Sequence, residues 1–271
     1  MCFFKQNKAT AAELEKYYDA INRVPDYQPN YYENGYDFKP SPVLTVERSK
    51  ELLPVTWGLI PQSVKTVDSA RKIRLNTLNC KSEMMYETPA FKDSAKAGLR
   101  GLTGCTGFFE WHHSAGGKNK TPYKVEAKDH GIFSLGVIYS HWYDPAIGEE
   151  ILTYAVLTTD SNPMMSWLHN SKKRQPVIIP RAYERDWLNP NLTEKDVLEL
   201  CRAMPEDFLT YYSIGKQIGG NKLTSDEKNS PEIEKPVEYS TEEIEGEKEA
   251  KAPKSAKAKK GKPDSGQGSL F

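Results

Sequence analysis

Apolar positions along the body of the chain recur with two different periods, and the change of period marks out its elements. In "AAELEKYYDAI", Leu14, Tyr17 and Ile21 fall three and four apart, the spacing of one helical face. Short runs bounded by turn residues follow: "PVLTV", "VTWGLI", "GIFSLGVIYSHW" and "ILTYAVLTT". Each has strand length and is rich in β-branched and aromatic side chains, so each predicts a strand. "LTEKDVLELCRAM" then predicts a helix entered at Thr193, with an acidic residue three positions on in the manner of a capping box. Strands in the middle with helices at the ends and connections predict an α+β domain with a mostly antiparallel sheet.

The pattern stops near residue 221. Residues 223–250 hold ten acidic side chains against three lysines, and residues 251–263 hold six lysines and no acid. A segment with so little apolar surface cannot offset its ordering entropy, so residues 222–265 are expected to be a disordered charged linker. Subtracting the tail leaves 27 basic and 26 acidic residues in 1–221, a near-neutral body. Neutrality overall leaves room for a local basic groove. Cys2, Cys80, Cys105 and Cys201 are scattered without a CxxC pair, which argues against a disulfide framework and a structural zinc. No metal or other cofactor is expected. Nothing resembles a signal peptide, and no apolar run approaches the roughly 20 residues of a membrane helix. The expectation is a cytoplasmic, monomeric protein away from the membrane.

One position carries unusual chemistry. If Met1 is removed, Cys2 becomes the first residue and holds two nucleophiles, its thiol and a free α-amine. The other reading is that Cys2 is simply the second residue of a fraying terminus. Cys2, "WGLIP" at 57–61, "LNCKSE" at 78–83 running on to "GFFEW" at 107–111, "TTDSNPMMSWLHNSKKRQPVIIP" at 158–180 and "WLNPNLT" at 187–193 decide between them. Together, in this order, they resemble the SOS-response-associated peptidase (SRAP) family, proteins that shield abasic sites in single-stranded DNA. The likeness covers roughly residues 1–218. It implies a single domain over 1–221 with a barrel-like β core flanked by helices.

The resemblance also implies site residues. The cysteine that bonds to the open-chain aldehyde of an abasic sugar would be Cys2. The asparagine of the family's N-A-R-S-E stretch would be Asn79, placed to hold the terminus or the sugar, and the arginine there is replaced by Lys81. Glu110 would be the acid/base, its pKa raised by the apolar Phe108, Phe109 and Trp111. His169 would protonate the ring oxygen and assist reversal. The other histidines read as structural. Lys81, Arg74, Lys172, Lys173 and Arg174 would meet phosphates, with Trp57 as a base-stacking platform. Phe3 and Phe4 stand where the family has Gly-Arg, which together with Lys81 removes guanidinium forks, and "KRQP" stands for R-M-P.

An α-amine with a pKa of about 7.7–8.0 is partly neutral near pH 7 and can attack the aldehyde. The thiol on the same residue then closes a five-membered thiazolidine, an intramolecular step with a large effective molarity. Only an N-terminal cysteine has this geometry. The chain ends "QGSLF", and Gln267, Ser269, Leu270 and Phe271 resemble the peptide that docks on bacterial sliding clamps, making residues 266–271 a clamp-binding peptide and the clamp a partner beside single-stranded DNA. Two other readings stay open: a thiol peptidase or autopeptidase with Cys2 as N-terminal nucleophile, and a non-catalytic clamp adaptor.

Overall fold

The strands of the chain are β1 (Phe4–Asn7), β2 (Ile21–Asn22), β3 (Asn30–Asn34), β4 (Pro40–Thr45), β5 (Glu51–Trp57), β6 (Asn79–Lys81) and β7 (Arg100–Cys105). They continue as β8 (Gly107–His113), β9 (Lys120–Ala127), β10 (Phe133–Asp144), β11 (Glu149–Asp160), β12 (Arg174–Pro176), β13 (Ile178–Ile179) and β14 (Leu209–Ser213). The four apolar runs supply β4, β5, β10 and β11. The computed structural model describes residues 2–128, 131–220 and 222–246. Five strands close on themselves. β11 pairs with β10, β10 with β7, β7 with β4 and β4 with β5, all antiparallel. β5 then returns to β11 through a short parallel pairing, Thr56 with Thr153 and Trp57 with Tyr154. The expected α+β architecture with a barrel core is therefore the one adopted.

Closure explains why β10 and β11 are apolar along most of their length instead of alternating, since both faces of each are covered. Leu135, Val137 and Tyr139 of β10 and Tyr154 and Val156 of β11 share one buried cluster with Val43 and Val55, which fills the barrel. Ile138, Ala155 and Leu157 point the other way. There they meet Leu14 and Tyr18 of α1 (Ala11–Tyr18), Ala95 of α2 (Lys92–Lys96), Trp187 of α3 (Glu184–Trp187) and Val197 of α4 (Glu194–Leu200). α4 begins at the expected capping box of Thr193 and Asp196. α1 has its own box, Thr10 with Glu13, and ends one turn earlier than its apolar spacing suggested. Asp19 there adopts the left-handed conformation, and Ile21 lies exposed in β2 instead of on the helical face.

A second sheet, ordered β14-β9-β8-β1-β3 and antiparallel throughout, packs its inner face on the barrel cluster. One residue, Thr106, separates barrel strand β7 from sheet strand β8, so a single run of chain joins the two layers. The turn after β5 needs its glycine: Gly58 has φ +104°, and a Cβ there would press on the Phe38 ring at 3.0 Å.

The domain does not end at 221. Residues 222–246, expected to lack structure, pack on the second sheet with their own short helices, Ser225–Lys228 and Thr241–Glu245. Ile233 enters a cluster with Tyr32, Phe109, Ile214 and Ile218. Beside it Glu234 accepts hydrogen bonds from Gln6, Lys8 and the buried Lys124. One apolar anchor and one multiply bonded carboxylate do what a periodic apolar face does elsewhere. Gln267, Ser269, Leu270 and Phe271, with the rest of 247–271, lie outside the described residues. Among the described residues no helix is long and apolar enough to cross a membrane.

Removing Glu234 would strip the buried Lys124 ammonium of its closer partner, leaving Glu126 at 2.7 Å. Glu234→Ala is therefore expected to cost about 2–3 kcal/mol of stability. A urea midpoint no further displaced than that of Lys50→Ala, which removes the exposed Lys50–Asp19 pair, would contradict the anchoring role.

Candidate active site

β1 carries the start of the chain between β3 and β8. Lys5 lies opposite Phe108 and Gln6 opposite Gly107. Counting back along the same antiparallel register brings Phe3 opposite Glu110. Three residues before Lys5, the chain turns Cys2 into the barrel cluster, where it is fully buried in company with Trp57, Leu78, Cys105 and Phe108. Lys5 holds this strand in place. Its ammonium is buried, paired with Glu33 of β3 and set over the Trp57 ring. Ser41 donates to the other oxygen of Glu33, so the carboxylate is satisfied on both sides. Burial pushes the Cys2 thiol well above its ordinary range, with Cys105 and Glu110 adding to the effect and Lys5 opposing it.

Glu110 sits on β8, an interior strand of its sheet, and is buried. His169 follows the helix Pro163–Leu168, whose start is capped by the Asn162 side chain. The His169 Nε2 lies 3.9 Å from Glu110 Oε2. Its Nδ1 lies 2.9 Å from the Arg174 carbonyl, an oxygen that can only accept, so the proton is on Nδ1 and Nε2 is the lone-pair nitrogen facing Glu110. The distance is that of an ion pair, but burial moves both groups toward neutrality. The Glu110 carboxyl is pushed up to about 7, chiefly by desolvation, with the positive amino end of the chain pulling it the other way. Burial pushes His169 down to about 4. A protonated carboxyl and a neutral imidazole therefore face each other around pH 5–6. The loop after His169 is tied to β8 by Asn170, whose amide accepts from the His113 N–H and donates to its carbonyl.

Asn79 opens β6 opposite Val156, whose side chain belongs to the cluster that holds Cys2. Both polar atoms of its amide are buried, and neither has a hydrogen-bond partner among the described residues. Such a group is costly unless a ligand satisfies it.

The predicted DNA contacts divide. Lys81, Lys172 and Lys173 are exposed, and Lys172 lines the cavity described below. Trp57 is a core residue, 1% exposed, stacked on Tyr154 and donating to the Leu78 carbonyl, so it is no base platform. Arg174 is buried and engaged with Glu83, Asp160 and the Thr158 carbonyl, which leaves no guanidinium edge for a phosphate. Arg74 lies over the Phe38 ring at 3.8 Å and packs beneath the Gly58 turn, half-buried.

A cavity of about 360 Å³ opens above Glu110 and His169, bounded by Phe3, Phe4, Trp111, His113, Lys120 and Lys172 among others. Of these, the sequence reading had given Phe3 and Phe4 only as departures from a pattern and His113 as structural, and it had not assigned Lys120. Their signal was that departure: two aromatic side chains beside the terminus where small and charged ones were expected. Among the described residues no cluster suited to a metal ion is present.

Burial that raises the Glu110 pKa has a consequence for stability. The contribution of its protonated form is complete below about 4.5 and is lost as pH rises through about 7. Glu110→Gln, permanently neutral, is expected to be roughly 3 kcal/mol more stable than the parent at pH 8 and equal to it at pH 4. Urea unfolding at the two pH values checks this; the same difference at both would contradict it.

Known proteins share this architecture. A solved structure from Bacteroides thetaiotaomicron superimposes with a TM-score of 0.80 at 31% identity, covering 87% of this chain and 100% of that one. A Bordetella bronchiseptica protein shares the fold with a TM-score of 0.65 at 20% identity, covering 79% of this chain and 100% of that one. Among curated proteins, abasic site processing protein YoqW of Bacillus subtilis is 28% identical over 207 residues, 74% of this chain and 86% of that protein. Abasic site processing protein HMCES of Xenopus tropicalis is 28% identical over 232 residues, 76% of this chain and 65% of that longer one. The family model described as SOS response associated peptidase matches residues 1–221. With four-fifths of its length under that model, the chain belongs to the SOS response associated peptidase family.

Proposed function

We propose that this chain processes abasic sites in single-stranded DNA by bonding the open-chain sugar covalently to Cys2 after Met1 has been removed. The observation that carries the reading is the juxtaposition at the end of β1. A cysteine one residue from the terminus lies in the electrostatic reach of a buried carboxyl near pKa 7, which itself faces a neutral imidazole at 3.9 Å. The curated names of the relatives point to the same substrate.

The chemistry runs in two steps. The neutral α-amine of Cys2 adds to the aldehyde carbon, and its surplus proton passes to the carbinolamine hydroxyl, which leaves as water to give an imine. A carboxyl near pKa 7 can take and return that proton at physiological pH. The thiol then adds across the C=N bond, sulfur to carbon and hydrogen to nitrogen, closing the thiazolidine. The net change is loss of one water. The upward-shifted thiol attacks second, when the iminium is electrophilic enough to meet a weakly acidic sulfur. The same shift weighs against a peptidase acting through a Cys2 thiolate. His169 Nε2 takes a proton from Glu110 and delivers it to the sugar's ring oxygen as the ring opens to the aldehyde, and the orphaned Asn79 amide gains partners in a sugar hydroxyl or the terminal amine. Gln267–Phe271 would tether the domain to the replication clamp and raise its concentration near exposed strands.

Intact mass after incubation with an oligonucleotide bearing one abasic site should show loss of methionine and an adduct of protein plus DNA minus one water. Cys2→Ala should give none, Cys2→Ser only a labile imine, and Asn79→Ala about tenfold slower formation. An adduct undiminished in Cys2→Ala would end the proposal, and DNA binding without any adduct would favour the adaptor. Deleting Gln267–Phe271 should abolish capture by the clamp while leaving adduct formation intact; unchanged capture would remove the tether.

A further inference from the structure

An abasic sugar has no base, so its reacting atoms need polar surroundings and no apolar wall. The cavity over Glu110 and His169 is nonetheless walled by Phe3, Phe4 and Trp111. These rings are braced. Phe3 is stacked on Tyr36 with centroids 5.5 Å apart, Phe4 is stacked on Tyr32 and meets Trp111 edge-on at 5.3 Å, and Trp111 packs against Gly219. The rim is basic: Lys120 and Lys172 are exposed, and no carboxylate of the described residues forms an ion pair with either. Burial, and then Lys120 and His169, hold the neighbouring His113 toward its neutral form.

We infer that this cavity seats the base of a nucleotide adjoining the abasic sugar, stacked against Phe3 and Trp111, with the flanking phosphates at Lys120 and Lys172. The position relative to the sugar rests on the abasic-site reading; the base binding does not. Stacking needs only a π-face and so reads no sequence, which suits a site that must accept any neighbour. The aromatic pair at 3–4 thereby supplies grip where a guanidinium is missing, and it does so without a charge.

The test compares a short oligothymidylate with an oligomer of the same length built from tetrahydrofuran spacers. The two carry equal backbone charge, and neither has an aldehyde, so neither can crosslink. By fluorescence anisotropy the parent should bind the base-bearing strand about tenfold more tightly. Phe3→Leu, which keeps the apolar volume, should reduce that preference to about twofold without changing the salt dependence. Lys172→Gln should weaken both strands alike and lower the salt slope by about 0.7. Equal affinity of the parent for the two strands, or a preference that survives in both Phe3→Leu and Trp111→Leu, overturns the inference. A chain that prefers bases but never crosslinks an abasic strand keeps the inference and loses the abasic-site reading.

Discussion

The contact between Glu110 and His169, 3.9 Å apart in a dry part of the molecule, is workable because desolvation penalises the charged form of each. In water the two would form an ion pair near neutrality. Here the proton rests on the carboxyl and the imidazole keeps its lone pair, so a donor and an acceptor sit side by side without net charge. The rest of the site serves that condition. The barrel cluster excludes water from beneath, and Arg174's carbonyl fixes the tautomer.

The same logic runs through the N-terminal strand. β1 is short, and four polar groups in it or beside it find partners when the strand is seated: Lys5 on Glu33, Gln6 and Lys8 on Glu234, and Thr106 on the Gln6 carbonyl. A one-residue slip would turn every side chain of β1 to the opposite face and take Lys5 away from Glu33. Polar constraints set the register, and the register places Cys2.

Much of this was legible in the sequence. The apolar runs marked four of the five barrel strands but not the glycine-interrupted β7, the Thr193 box marked α4, and the motifs pointed to Glu110 and His169, which the fold brings together from positions far apart in the chain. What was not legible has a common cause. Trp57 and Arg174 belong to residue types that serve nucleic acids and cores equally well, and only their partners tell the difference. The 222–246 segment escaped notice because it is held by Ile233 and by a carboxylate whose partner, Lys124, is itself hidden in a strand. Charge composition signals solvation until a buried counter-charge is known.

The clasp between Glu234 and the first strand also orders events in time. Synthesis proceeds from the N-terminus, so residues 4–8 leave the ribosome long before β8 can flank them and longer still before Glu234 can reach Gln6 and Lys8. Contacts this distant in sequence form late. A nascent chain thus carries Cys2 loose, away from Glu110 and His169, until nearly the whole domain has emerged. The meeting of Cys2, Glu110 and His169 is thereby withheld from the unfinished polypeptide and acquired together with the finished fold.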